Sequence, residues 1–359
     1  MATNKIELFQ SELRRLGIGA YLVTDSLNQF YLTGFRGSSG YLLVTQSGSW
    51  LITDFRYRDY VTKELPDISL ILSEAPRKLE ETLARKIHSL GLSLLFCEGH
   101  ILTYDSFNKL RQTLVPLELV SGQSVVEKMR LIKGADELDI MRDAAQIADK
   151  TFTAILSELA PGVSEVWVAN RIETLLRDFG AESSSFTTIV ASGKNSALPH
   201  AKPSDKKLAS GEFVTLDFGA LYKGYCSDMT RTVVLGAATP KHQKIYNLVR
   251  EAQTRVIDNI KAGLTTKEAD SLARDYLSQS GYNDEFGHGT GHGLGLAVHE
   301  APYLSVVDNK TKLEAGMVVT VEPGLYLTDW GGVRIEDDIL ITADGCKVLT
   351  QSTKELLVL

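Results

Sequence analysis

Cysteine is scarce in this chain of 359 residues: there are three, Cys97, Cys226 and Cys346, odd in number and far apart. That spacing excludes a disulfide framework or a zinc ribbon and fits a reducing compartment. Long apolar runs are also missing; none approaches the ~18 residues that a membrane-spanning helix needs. The N-terminal stretch Met-Ala-Thr-Asn-Lys-Ile-Glu-Leu-Phe-Gln-Ser-Glu-Leu-Arg-Arg carries charge throughout and does not read as a signal peptide. These absences predict a cytoplasmic protein that does not enter a membrane. Nor is there an excess of positive charge. Lys and Arg number 38 against 45 Asp and Glu, a net charge of -7, which argues against nucleic acid or an anionic membrane as partner. What remains, 43% apolar and 23% charged residues, is ordinary for a globular protein. The length suggests about two domains, each able to bury a core.

The first third alternates helices and strands. Ile6, Leu8, Phe9, Leu13 and Leu16 share a helical face over residues 5–16, and Gly17 and Gly19 end that helix. Tyr21 to Thr24 reads as a strand, Asp25 to Asn28 as a turn, and residues 41–45 with 50–54 as a hairpin about Gln46 to Ser49. Helices over 76–90 and 104–114 precede strands at 93–97 and 118–120. The pattern is that of an α/β sheet domain, with the boundary placed near residue 125: domains 1–125 and 126–359. The loop Gly34 to Gly40 and the run Asp54 to Arg58 are polar or aromatic enough to reach a ligand, but read more simply as solvated loops and a helix start.

The remainder contains a duplication. Pro161-Gly-Val-Ser-Glu165 matches Ala262-Gly-Leu-Thr-Thr266, and Gly180 matches Gly281, all at an offset of 101. A long amphipathic helix precedes each copy, over about 135–159 and 241–261, and a second helix follows it. Thr265 and Glu268 have capping-box spacing. Two copies of helix, helix and sheet would place a site on a pseudo-twofold axis.

Between the second copy and the C-terminus lies Glu285-Phe-Gly-His-Gly-Thr-Gly-His-Gly-Leu-Gly-Leu-Ala-Val-His-Glu300, with His288, His292 and His299 inside twelve residues. Alternating glycines disfavour helix and allow close backbone approach. An extended chain would put His288 and His292 on one face and His299 on the other. The run does not fit the dinucleotide fingerprint, because the third glycine position is filled by His292, Leu294 or Leu296. His-Glu-x-x-His is absent, since Ala-Pro-Tyr follows His299-Glu300. Asp217-Phe-Gly219 is no kinase signature without a glycine-rich loop, a lysine strand and a His-Arg-Asp loop upstream.

Two acidic hairpins could complete a site with these histidines. Residues 213–234 read as a hairpin turning at Leu221 to Gly224, with Asp217 opposite Asp228. Residues 317–326 and 332–340 turn about Asp329, with Glu322 opposite Glu336. Ionised carboxylates so close repel, and a cation is the usual remedy. Four carboxylates and the His292 imidazole make a hard, oxygen-rich set suited to two divalent ions such as Mn²⁺, with Co²⁺ or Zn²⁺ as alternatives. Two such ions can acidify a shared water and clamp attacking and leaving atoms. Arg334, two residues before Glu336, shares its strand face and reads as a support for a metal carboxylate.

These residues carry a family resemblance. Ser192-Gly-Lys-Asn-Ser-Ala-Leu-Pro-His200, Leu216-Asp-Phe-Gly219, Ser227-Asp-Met-Thr-Arg-Thr232, His288 to Glu300, Val321-Glu-Pro-Gly324 and Gly332-Val-Arg-Ile-Glu-Asp-Asp338 run in the order of the pita-bread metallopeptidases. The chain resembles their Xaa-Pro aminopeptidase and prolidase (Xaa-Pro dipeptidase) branch over about residues 130–359, and its first third resembles the α/β domain shared with creatinase. The resemblance implies an α/β N-terminal domain followed by an α+β pita-bread domain with internal pseudo-twofold symmetry. It implies metal ligands at Asp217, Asp228, His292, Glu322 and Glu336, with Asp228 and Glu336 bridging or bidentate, and two ions, with manganese favoured. A metal-bridging hydroxide would attack the scissile carbonyl of short proline-containing peptides, and Glu322 would shuttle the proton. His299 would stabilise the gem-diolate, His200 would lie near the scissile bond, and His288 would line the proline pocket. Relatives are commonly homodimers whose N-terminal domain approaches the neighbouring site, a role for which Arg36, Arg56 and Tyr57 are candidates. Methionine aminopeptidase shares the ligands but lacks the long N-terminal domain; creatinase has that domain without the ligands. A non-catalytic peptide- or protein-binding module on this fold, or an aminopeptidase without proline specificity, are the other readings. The resemblance covers dipeptidases and aminopeptidases alike.

Overall fold

A computed structural model describes residues 4–74 and 78–359. The chain divides into two units, one ending at Arg130 and one beginning at Leu131.

The first unit is built from helices α1 (Lys5–Arg15), α2 (Ser26–Thr33), α3 (Arg58–Glu64), α4 (Leu79–Ser89), α5 (Tyr104–Thr113) and α6 (Val125–Arg130). Its strands are β1 (Ala20–Val23), β2 (Tyr41–Thr45), β3 (Ser49–Asp54), β4 (Ser69–Ser73), β5 (Leu94–Cys97) and β6 (Glu118–Ser121), in one sheet of order β4-β3-β2-β1-β5-β6. The α/β character and the β2–β3 hairpin agree with the sequence reading. The turn expected at Asp25 to Asn28 is instead the start of α2. Asp25 caps that helix by accepting the Leu27 amide at 3.2 Å, so the turn residue is an N-cap. The helix expected over 76–90 runs from Leu79 to Ser89; residues 76 and 77 lie outside the described residues. The division falls at 130/131 rather than near 125 because α6 belongs to this unit. Val125 and Val126 are buried, and Arg130 Nη1 donates to Asn28 at 2.9 Å. Buried Glu98 collects the Thr24 and Asp25 amides and the Asn28 amide group, tying β5 to the start of α2.

The second unit opens with α7 (Ala135–Ile155) and α8 (Glu165–Asp178), followed by strands β7 (Ser183–Ser184), β8 (Ile189–Ser192), β9 (Phe213–Phe218), β10 (Ala220–Tyr222), β11 (Tyr225–Cys226) and β12 (Met229–Val234). Next come α9 (Pro240–Asn259), α10 (Thr266–Gln279) and strands β13 (Gly291–Gly293), β14 (Glu300–Leu304), β15 (Val318–Val321), β16 (Gly324–Leu327), β17 (Gly331–Arg334), β18 (Asp337–Ile341) and β19 (Cys346–Val348). The main sheets run β12-β9-β8 and β14-β13-β15-β18-β19.

The duplication is present in the backbone. Gly162 and Gly263 both have φ of 93°, which favours glycine, and each donates its amide at 2.8 Å, to the carbonyls of Leu208 and Leu313. Ser164 and Thr265 cap α8 and α10, the latter in a full capping box with Glu268. Two apolar cores result, one between α7, α8 and β8–β12, the other between α9, α10 and the β13–β18 sheet.

The C-terminal segment is locked beneath the hairpins. Buried Arg231 donates to the carbonyls of Ser352 and Thr353 and pairs with buried Asp337 at 2.7 Å. Lys354, Gln253 and Thr350 also donate to Asp337, and burial is outweighed by the Arg231 and Lys354 charges, so its pKa is held below the ordinary value. Asp337→Ala strands a buried guanidinium, at a cost of about 3–5 kcal/mol. A melting temperature lower by roughly 10 °C is expected in calorimetry; a change of only a degree or two would show that Arg231 finds other partners.

Candidate metal centre and active site

Every residue singled out in the sequence for chemistry lines one cavity of about 450 Å³ in the second unit: His200, Asp217, Asp228, His288, His292, His299, Glu322, Arg334 and Glu336. Asp217, Asp228, His292, Arg334 and Glu336 are buried, whereas His200 and His299 are exposed at the mouth.

The first hairpin supplies Asp217 and Asp228, but not directly opposite each other as expected. Asp217 faces Thr230, because the strands turn at Lys223-Gly224, whose φ of 47° and 85° define a tight two-residue reversal. The register is displaced by one pair from the symmetric count, and Asp228 lies diagonal to Asp217. Both still point one way, since the strand period is two. Gly219 is required here: a Cβ would come within 1.7 Å of the Ser227 carbonyl. The second hairpin follows the expected count. Val321 pairs with Asp337 and Gly324 with Arg334, which sets Glu322 against Glu336 across a turn at Asp329, φ 62°.

The histidine run is not one straight strand. Glycines 289, 291 and 293 do permit close approach: a Cβ would lie within 2.7 Å of the Leu304 carbonyl, 2.0 Å of Thr320 and 2.2 Å of Ala301 respectively. Register shifts between His292 and Gly293, and the chain then reverses into β14. The reversal overturns the expectation that His299 faces away; its ring lies 4.2 Å from that of His292. From α10, buried Asp270 accepts the Thr290 amide at 3.0 Å and also holds Arg274, which donates to the His288 carbonyl. In the first half Glu165 of α8 does the equivalent, accepting from Ser192, Asn195 and Ser204 to secure the loop that bears His200.

His292 donates from Nδ1 to the Gly293 carbonyl at 3.1 Å. The lone pair of Nε2 therefore faces Asp228 Oδ2 at 3.7 Å and Glu322 Oε1 at 3.5 Å. Ligand atoms of Asp228, His292 and Glu336 all fall within 4.8 Å of one another. Asp217 and Glu322 stand beside this trio rather than within it. Buried Oδ1 atoms of Asp217 and Asp228 have no hydrogen-bond partner. An orphaned carboxylate oxygen in a buried site is costly, and a divalent cation is the partner that such a donor set fits. Burial first, then the neighbouring carboxylates Glu336 and Asp217, pushes Asp228 well above its ordinary pKa; Glu336 rises in the same way. Burial pushes Glu322 up to about 8, against a lowering pull from Arg334. His292 and His288 are each pushed down to about 4, chiefly by burial, and stay neutral near pH 7.

Arg334 organises the floor. Its guanidinium donates to Asp217 Oδ2 at 2.5 Å, to Thr230 Oγ1 at 3.0 Å and to the Tyr326 hydroxyl at 2.8 Å. Thr230 in turn donates to Glu336 at 2.7 Å, so one arginine orients two of the acids. His288 spends Nδ1 on the Gly289 carbonyl and receives the Tyr326 hydroxyl on Nε2 at 2.9 Å. Tyr326 escaped the sequence reading. Its signal was available: it shares a strand face with Glu322, and Gly324 between them leaves room, since a Cβ there would meet the Tyr326 hydroxyl at 2.6 Å. Phe186, Ile189 and Tyr303, which add apolar and aromatic wall, gave no sequence signal. In the first unit Arg36 lies over the Phe30 ring, Arg56 pairs with Asp54 at 2.7 Å, and the Tyr57 hydroxyl bonds Ser38 at 2.8 Å.

A duplicated helix-and-sheet unit with a buried acid and imidazole cluster beneath a peptide-sized cavity is the architecture of a metal-dependent peptidase. Comparison with known proteins agrees. Metallopeptidase family M24 matches residues 139–343, and the creatinase/prolidase N-terminal domain matches residues 5–132. The structure superposes on a chain described as Xaa-Pro dipeptidase from Bacillus anthracis with a TM-score of 0.95 at 46% identity, covering 100% of both chains. An X-Pro aminopeptidase from Thermotoga maritima superposes with a TM-score of 0.91 at 33% identity, over 97% of this chain and 100% of that one. The Xaa-Pro dipeptidase of Pyrococcus horikoshii is 40% identical over 344 residues, 95% of each chain. This chain therefore belongs to metallopeptidase family M24, joins a creatinase-type N-terminal domain to a pita-bread domain, and is an enzyme of the hydrolase class. Among the described residues no helix is long and apolar enough to cross a membrane.

Proposed function

We propose that this enzyme hydrolyses the bond between an N-terminal residue and proline in short peptides, using two divalent metal ions, Mn²⁺ by preference. The observation that carries the reading is the set of acids around His292 with two orphaned buried oxygens, in a cavity whose walls include Phe186, Ile189 and Tyr303. Asp217, Asp228, His292, Glu322 and Glu336 would hold the ions. When bound, the ions supply charge to polarise the scissile carbonyl and to acidify the attacking water. Glu322, at the edge of the cluster and still partly exposed, takes the proton of that water and returns it to the leaving nitrogen. Return matters for proline, whose nitrogen has no proton of its own in the bond and departs as a secondary amine. His299 and His200, at the mouth, donate hydrogen bonds to the carbonyl oxygen as it gains charge. His288 is held neutral and turned by Tyr326, so its ring offers a carbon edge to the apolar proline ring. Arg334, which also lines the cavity, keeps Asp217 and, through Thr230, Glu336 in place.

The similar proteins named above include both dipeptidases and an aminopeptidase. The test is a paired assay of stripped, Mn²⁺-reloaded enzyme on an Xaa-Pro dipeptide and an Xaa-Pro-Xaa tripeptide. Cleavage of the dipeptide alone defines a dipeptidase, and cleavage of the tripeptide an aminopeptidase. Cleavage of neither, with metal bound, would overturn the proline reading and favour other N-terminal residues or a binding role.

A further inference from the structure

Lys133 and Glu300 form an ion pair of 2.8 Å between side chains only 2% and 12% exposed. They lie 167 residues apart in sequence. Lys133 precedes α7, and its amide donates to the Gly316 carbonyl at 2.9 Å, which anchors its backbone to the second half of the duplication. Glu300 opens β14 and pairs with Gly293, closing the excursion from Leu294 to His299. Space for the carboxylate is provided by Gly295, where a Cβ would come within 2.5 Å of Glu300 Oε1 and 3.2 Å of Lys133 Cε. The same glycine's carbonyl accepts the Cys226 amide at 2.8 Å, two residues before Asp228.

A buried ion pair gives little net stability over an apolar pair of the same shape. What it does give is geometry: the desolvated charges hold one arrangement strongly. Here that arrangement sets the residue next to His299. We propose that the Lys133–Glu300 pair is a positioning device that fixes His299 beside His292 for the Xaa-Pro cleavage proposed above, on which this inference rests. Without it the six residues 294–299 are held by few ladder bonds, among them Leu294 N–H to the Val318 carbonyl at 3.1 Å, and His299 can swing into the open mouth. A donor displaced by about 1 Å loses much of its effect on a developing oxyanion.

The test uses full-length, Mn²⁺-loaded enzyme carrying Lys133→Met with Glu300→Gln, which removes both charges and leaves neither buried alone. The expected result is kcat lowered at least tenfold, with KM, Mn²⁺ stoichiometry by elemental analysis and melting temperature close to wild type. The loss should vanish in a His299→Ala background, because a positioning device has nothing left to position. Lys133→Arg, which keeps the charge, should recover most of kcat. Unchanged kcat, or a loss that adds in full to that of His299→Ala, overturns the proposal. Should the double variant not fold, Gly295→Ala displaces the carboxylate with both charges retained and is read by the same criteria. If wild-type enzyme cleaves no Xaa-Pro peptide, the functional reading fails by itself. Positioning is then read by hydrogen exchange: faster exchange of residues 294–299 alone supports it, and unchanged exchange overturns it.

Discussion

Glu322→Gln is expected to lower kcat for Xaa-Pro cleavage by about three orders of magnitude, the range for removing a general acid–base, the role proposed for it above. Glutamine keeps the volume and one oxygen donor but cannot carry a proton at neutral pH. Glu322 Oε1 is 3.5 Å from His292 Nε2, at the edge of the cluster whose floor is Asp228 and Glu336. Its side chain is 18% exposed, more than the 6% of Asp228, so of these two acids it is the more open to the cavity that both line. Metal content by elemental analysis separates the two roles. A variant that keeps its ions yet has lost turnover identifies the proton carrier. A variant that regains turnover when Mn²⁺ is raised has lost only a ligand. Turnover within tenfold of wild type at full metal load would remove Glu322 from the proton path.

Stripping the metals is expected to make the enzyme's stability fall as pH rises, in a way the loaded enzyme does not share. In the stripped protein burial pushes Glu322 from 4.5 to about 8 and raises Asp228 and Glu336 well above their ordinary values. A folded-state pKa above the unfolded one gives stability that is fully present below about pH 4.5 and lost as pH climbs through about 8. Bound cations favour the ionised acids and remove that loss. The gap in melting temperature between loaded and stripped enzyme should therefore widen from about pH 5 to pH 8. A widening of roughly 10 °C follows from a few kcal/mol in a unit of this size. Thermal melts across that range check it, and calorimetry in buffers of different ionisation enthalpy should show protons released on Mn²⁺ binding. A gap that stays level from pH 5 to pH 8 would mean that the acids are ionised before metal arrives.

Legibility in the sequence followed the range of the interactions involved. The second hairpin was read to the residue because Asp329 occupies its midpoint and strand alternation does the rest. The first was read one pair out of register, because Tyr222-Lys-Gly-Tyr225 admits a turn at more than one position and only the backbone of Lys223 and Gly224 selects one. By local rules Asp25 is a turn residue; the same side chain caps α2 once Glu98, more than seventy residues later, gathers the amides beside it. The face of His299 departs from the sequence expectation for a different reason. Alternation holds along a regular strand, and the register shift after His292 ends that regularity.

Local rules in the sequence determined which donors exist, in what order, and on which strand face each acid stands. They also determined the duplicated caps at Ser164 and Thr265 and the glycines that let β13 approach its neighbours. Tertiary structure alone decided what those donors face. Arg334 meets Asp217 across 117 residues, Tyr326 links Arg334 to His288 across 38, and Lys133 meets Glu300 across 167. Period and propensity describe neighbours a few positions apart. Contacts at these separations arise when two apolar cores close and leave each buried charge to find its partner.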